Sequence, residues 1–158
     1  MNRAPASIFK NPVHFLAFGL GSGASPLAPG TVGTLFALLI YWGLLTKLNL
    51  GNYLLLLVLA FFIGIWLCGK TAKDLGTHDH SGIVWDEFVG FWITMFAVPA
   101  QIEWLLIGFV LFRLFDICKP WPINWIDNNL SGGIGIMLDD VVAGVYALIL
   151  LQGMIILL

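Results

Sequence analysis

The sequence predicts an all-α protein, a compact multi-helix membrane bundle of about four transmembrane helices plus short interfacial helices. Three observations lead there. The 158 residues are 59% hydrophobic and only 10% charged, where a soluble domain carries roughly 25% charge. Mean hydropathy is +0.95, and the apolar residues gather into long runs at 32–46, 53–69, 83–99, 104–117 and 141–158. Between those runs stand turn-forming residues rather than a polar linker, so the chain reads as one domain, 1–158.

The elements follow in order. A short apolar piece at 13–20 is expected to lie at the membrane interface. A loop rich in glycine, proline and hydroxyl residues, 19–34, leads into a first helix that starts near Thr31. Asn49-Leu50-Gly51-Asn52 turns the chain into the second run. The polar stretch 73–82 separates the second run from the third, and Pro99-Ala100-Gln101 separates the third from the fourth. Pro120-Trp121-Pro122 ends the fourth helix, because proline lacks an N–H and restricts the residue before it. A spanning helix needs roughly 20 apolar residues, about 17 at the least. The first and fourth runs are therefore short for a full crossing.

Several function classes are excluded by composition. No basic stripe exists to neutralise a nucleic acid backbone, and the net charge is −2. Cys68 and Cys118 stand apart, without the spacing of a zinc site or a disulfide framework. Positions 1–12 are polar and interrupted by Pro5 and Pro12, which does not match a cleavable signal peptide.

Charge sets the expected orientation. If the first run crosses outward, Arg3, Lys10, Lys70, Lys73, Arg113 and Lys119 all fall on the cytoplasmic side, and Lys47 alone falls outside. That satisfies the positive-inside bias. The same assignment gathers the glycine loop and most of the carboxylates on the cytoplasmic side. A pump or channel should instead spread ionisable groups through the bilayer depth.

The acidic side chains fall within positions 74–140, several directly against apolar runs: Asp86-Glu87, Asp116 and Asp139-Asp140. Carboxylates at the edge of a membrane segment are costly to keep and are functional candidates by default. Clustered carboxylates suit a hard cation such as Mg²⁺, which takes oxygen ligands and shares them with phosphate. Acids in a first helical turn are also favoured by the helix dipole, yet adjacent carboxylates repel unless a cation joins them. Asp86 and Gly90 are four residues apart, as are Asp140 and Gly144. Each glycine therefore lies one turn from its acid on the same helix face, where small residues permit close helix crossing. Two such helices crossing there would bring Asp86, Glu87, Asp139 and Asp140 together.

Around them stand candidate phosphate contacts. Gly21, Ser22, Gly23, Ser25 and Thr31 belong to the loop whose backbone N–H groups and helix start would suit an anion, although no Walker pattern follows. The plainer reading is a flexible loop in which Thr31 caps a helix. Arg113, Asp116 and Lys119 recur every third residue; the choice is between a simple ion pair with a snorkelling lysine and cations that meet a phosphate. In the stretch that begins at Lys73, His78-Asp79-His80 offers a proton donor or phosphate contact, or only a solvated loop.

These blocks in order, Gly21 to Pro26, Ala28 to Gly33, His78-Asp79-His80, Trp85-Asp86-Glu87, Arg113 to Asp116, Lys119-Pro120-Trp121-Pro122 and Asp139-Asp140, resemble the bacterial phosphatidylglycerophosphatase A family over nearly the whole chain. The resemblance implies an all-helical, Mg²⁺-dependent phosphatase of the bacterial inner membrane. Its substrate would be the lipid phosphatidylglycerophosphate and its products phosphatidylglycerol and inorganic phosphate. On that reading Asp79, Asp86, Glu87, Asp116, Asp139 and Asp140 are metal ligands. Asp86, Asp140, His80 and Lys119 carry the catalysis. Gly21, Ser22, Gly23, Ser25, Thr31, Lys73, Arg113 and Lys119 hold the phosphate. Attack by an activated water is expected, with an aspartyl-phosphate as the internal rival. The alternative is a small membrane metal-ion transporter or carrier subunit that uses the same carboxylates, and the one-sided placement of charge gives it little support.

Overall fold

A computed structural model describes residues 5–77 and 80–157. Among them, seven α-helices run α1 (Pro12–Ala17), α2 (Pro29–Gly43), α3 (Leu50–Leu75), α4 (Trp85–Thr94), α5 (Ile102–Cys118), α6 (Ile123–Asn129) and α7 (Gly132–Leu157). Three segments are long and apolar enough to cross a membrane: Pro29–Lys47, Leu50–Leu75 and Gly132–Leu157. At 17 residues α5 sits at the lower limit. Short helices α1 and α6 supply the expected interfacial pieces.

Local chemistry sets the ends. The Asn49 side chain accepts the Asn52 N–H to start α3, and Gly76 closes it in the left-handed region at φ 67°. Pro29 opens α2 at a position where its missing N–H costs nothing.

The third apolar run, 83–99, departs from its expected role. It forms a helix of only ten residues, α4, followed by a tight turn. At 1.5 Å per residue that helix is about 15 Å long, half a bilayer. It is sheathed by α2, α3, α5 and α7 and forms the centre of the bundle. An interrupted helix is tolerated at membrane depth only where protein satisfies the backbone, and side chains do so here. Tyr53 donates its hydroxyl to the Trp92 carbonyl at 2.7 Å. Tyr41 donates to Met95 O at 3.4 Å. The Gln152 amide donates to the carbonyls of Phe96 and Ala97 at 3.1 and 3.2 Å. These residues lie on three different helices, which explains why the run alone read as one long crossing.

The crossing of α4 and α7 is the one the glycine spacing predicts. A Cβ on Gly144 would collide with the Gly90 carbonyl oxygen, and one on Gly90 would lie 2.7 Å from Asp140 O and 2.6 Å from the Phe112 ring. Only hydrogen at both positions allows the backbones to meet. Below the crossing, Thr94 donates to Gly90 O at 3.1 Å and Gly144 O at 3.4 Å. A second glycine contact, Gly69 with Gly133, seals α3 against α7.

Candidate active site

The α4–α7 crossing sets acids side by side. Asp86 and Glu87 occupy the first turn of α4 and Asp140 the third turn of α7, and one oxygen from each lies within 4.8 Å of the others. Asp116, near the end of α5, lies against Asp140. Arg113, one turn earlier on α5, pairs with Asp116 and reaches Glu87 at 3.9 Å. Arg113 thus bridges Asp116 and Glu87. All are largely buried, and Glu87 Oε2, Asp140 Oδ2 and Arg113 Nε have no hydrogen-bond partner among the described residues. The 17-residue stretch 141–157 that follows Asp140 is uncharged and reaches about 26 Å, close to the hydrocarbon thickness.

The start of α2 closes the site from the side. A Cβ on Gly30 would collide with Glu87 Oε1 and stand 3.1 and 3.2 Å from the two terminal nitrogens of Arg113. The first turn of α2 is thereby pressed against the guanidinium. Gly30 lies in the glycine-rich loop singled out by sequence, but nothing in that loop distinguished it from its neighbours. Its role follows from a contact with residues far along the chain.

Other candidates lie elsewhere. Asp139, expected among the metal ligands, faces away from the trio and accepts from Lys119 Nζ at 2.9 Å. Asp139 is not among the oxygens that converge within 4.8 Å, its carboxylate being taken by Lys119 instead. Lys119, expected at the phosphate, also pairs with Asp127 of α6 at 2.8 Å. Burial works against its charge, but the two carboxylates outweigh this and hold its pKa above the usual lysine value. Asp127 gave no sequence signal, standing in a polar stretch with no spacing tied to the motifs.

The Gly21–Gly23 segment packs rather than opens. A Cβ on Gly23 would collide with Gly82 O, and Ser22 and Ser25 donate to the carbonyls of Gly19 and Leu27, each at 2.8 Å. Thr31 is half-buried in the first turn of α2, and Lys73 is exposed on the last turn of α3. His80 is buried, accepts the Gly82 N–H through Nδ1 at 3.1 Å and packs on Phe18. His78 and Asp79 lie outside the described residues. Cys68 is buried against Met137 and Cys118 is exposed.

The donor set fits a hard divalent cation. Every ligand is a carboxylate oxygen, and the buried oxygens of Glu87 and Asp140 lack other partners. Their oxygens lie within 4.8 Å of one another, so Asp86, Glu87 and Asp140 are the residues that would hold such an ion.

Comparison with known proteins gives the family. The sequence profile described as Phosphatidylglycerophosphatase A matches residues 15–155. Phosphatidylglycerophosphatase A of Escherichia coli (strain K12) is 54% identical over 136 residues, covering 85% of this chain and 78% of that protein. The Haemophilus influenzae protein of the same name is 49% identical over 140 residues, covering 88% and 86%. A Bacteroides thetaiotaomicron relative, provisionally named a phosphatidylinositol-3-phosphatase, is 44% identical over 140 residues, covering 84% and 87%. No solved structure matches. With the acidic trio at a helix crossing, a profile matched over residues 15–155 and two relatives that share its name, the chain belongs to the phosphatidylglycerophosphatase A family.

Proposed function

We propose that this protein hydrolyses the terminal phosphomonoester of phosphatidylglycerophosphate, giving phosphatidylglycerol and inorganic phosphate, at the cytoplasmic face of the bacterial inner membrane. The observation that carries the reading is the convergence of carboxylates at the α4–α7 crossing. Asp86, Glu87 and Asp140 bring oxygens within 4.8 Å of one another, and Arg113 pairs with Asp116 and Glu87 beside them. A cation among such groups relieves their mutual repulsion. Asp86, Glu87 and Asp140 would hold Mg²⁺, with Asp116 beside them. Once bound, the ion supplies positive charge to the phosphoryl oxygens and acidity to a water molecule.

The rest of the chemistry belongs to the chain. Arg113 has its Nε uncommitted and lies against the first turn of α2, so guanidinium and backbone N–H groups converge where phosphoryl oxygens gain charge in the transition state. The Asp116 pair fixes the guanidinium plane. A carboxylate of the trio accepts the proton of the attacking water. Lys119 and Asp139 anchor α7 to the α5–α6 corner, which holds Asp140 in place. Asp79, His80, Lys73 and the Gly21, Ser22, Gly23, Ser25 and Thr31 groups remain proposed contacts of the headgroup at the same face. The metal-ion transporter reading is not favoured, because it needs ionisable groups along the bilayer depth and the uncharged half of α7 offers none.

The test is phosphate release by purified protein from phosphatidylglycerophosphate, phosphatidate and lysophosphatidate, with Mg²⁺ and with chelator. Release from the first lipid that stops on chelation is expected. No release, together with metal flux into vesicles, would restore the transporter. An aspartate recovered in phosphorylated form after acid quench would replace water with a carboxylate as the nucleophile.

A further inference from the structure

Lys119 ends α5 with its backbone in the left-handed region at φ 42°, and its ammonium donates to two carboxylates on two further helices. One is Asp127 of α6 at 2.8 Å, the other Asp139 of α7 at 2.9 Å. Asp139 is buried and needs a cation beside it. Asp127 has no such need, because its side chain is 38% exposed and water can solvate the charge. What its contact changes is the lysine.

We propose that Asp127 is a positioning residue for the metal-holding carboxylates: it fixes the Lys119 ammonium against Asp139 and so keeps Asp140 turned toward Asp86 and Glu87. Freedom of the lysine is the first argument. A four-carbon stem with one partner can swing through many rotamers, whereas two partners on separate helices leave it one position that serves both. The platform is the second. A Cβ on Gly135 of α7 would collide with the carbonyl oxygen of Leu130, the residue that ends α6, and Tyr146 of α7 donates to Trp121 O, just before α6, at 3.3 Å. Both ends of α6 are thus tied to α7 without help from Lys119, and Asp127 sits between them on a fixed support. The roll of α7 is the third. Asp139 and Asp140 are consecutive on a rigid helix, so holding one in place sets the direction of the other. Asp116, one turn before Lys119 on α5, lies against Asp140. Like charges there push α5 and α7 apart, and the Lys119–Asp139 attraction opposes that push.

This inference rests on the reading that Asp86, Glu87 and Asp140 hold Mg²⁺, and the measurements separate the two. Mg²⁺ affinity is measured by titration calorimetry on the purified full-length protein in detergent, beside phosphate release from phosphatidylglycerophosphate as a function of Mg²⁺ concentration. Asp127→Asn keeps the volume and removes the charge. Its Kd for Mg²⁺ is expected to rise about tenfold, or about 1.4 kcal/mol, the scale of coupling between groups in one ion-pair network. Its Tm should stay close to wild type, and saturating Mg²⁺ should recover most of kcat. Asp127→Glu, which restores the charge, should regain most of the affinity. In a Lys119→Met background Asp127→Asn should weaken Mg²⁺ no further, because Asp127 acts through the lysine. Wild-type affinity in Asp127→Asn overturns the proposal. So does Asp127→Glu as weak as Asp127→Asn, or a second tenfold loss in the Lys119→Met background, since the effect would then come from α6 itself. Wild-type protein that binds no Mg²⁺ refutes the underlying reading, and this inference with it.

Discussion

Replacing Asp140 by asparagine should abolish turnover while making the metal-free protein more stable. Its carboxylate shares a 4.8 Å sphere with Asp86 and Glu87, so the substitution removes two like-charge pairs at constant volume. At an effective dielectric of 20, each pair at that distance is worth about 3.5 kcal/mol. Arg113 offsets part of the repulsion, and protonation within the cluster offsets more. A net gain of about 2 kcal/mol without metal is therefore expected, corresponding to roughly 4–8 °C in Tm for a chain of this size. The assay is thermal unfolding in detergent, with EDTA and with Mg²⁺, beside phosphate release. Wild type should be the less stable of the two in EDTA and should gain on adding Mg²⁺, because a ligand that binds only the folded state stabilises it. Asp140→Asn should lose most of that gain. A variant that retains wild-type turnover, or one that melts well below wild type in EDTA, would refute the placement of a cation among these acids.

Three further outcomes follow from the same geometry. Gly30→Ala should lower phosphate release by about 100-fold, because a misplacement of roughly 1 Å at a reacting group has that effect; wild-type kcat/KM in the variant would remove the start of α2 from the site. Gly144→Val should destabilise the bundle by about 3 kcal/mol or more through collision with the Gly90 carbonyl, seen as a lower Tm or loss of folded protein in a detergent extract. A double-mutant cycle on Lys119 and Asp139 should give a coupling of about 1–3 kcal/mol, larger than that of the exposed Lys70–Asp74 pair of α3. Equal couplings would show that partial burial adds nothing to the Lys119 pair.

The helical class, the membrane setting and the carboxylates at one face were all legible in the sequence, because they depend on composition and on spacings of a few residues. The Asp86/Gly90 and Asp140/Gly144 pairs even announced the helix crossing, since an α-helix places residues four apart on one face whatever surrounds it. Tertiary structure alone decided three other matters. The 83–99 run became a half-length helix because Tyr41, Tyr53 and Gln152, from three other helices, take its loose carbonyls. Asp139 and Asp140, chemically identical neighbours, were separated by their partners: Lys119, brought in by the α5–α6 corner, takes Asp139, while α4 brings Asp86 and Glu87 to Asp140. Gly30 acquired its place against Glu87 and Arg113 from packing between distant segments. Local order along the chain determines which groups are polar and which faces they share, whereas the partner of each group is set by contacts between residues far apart in sequence.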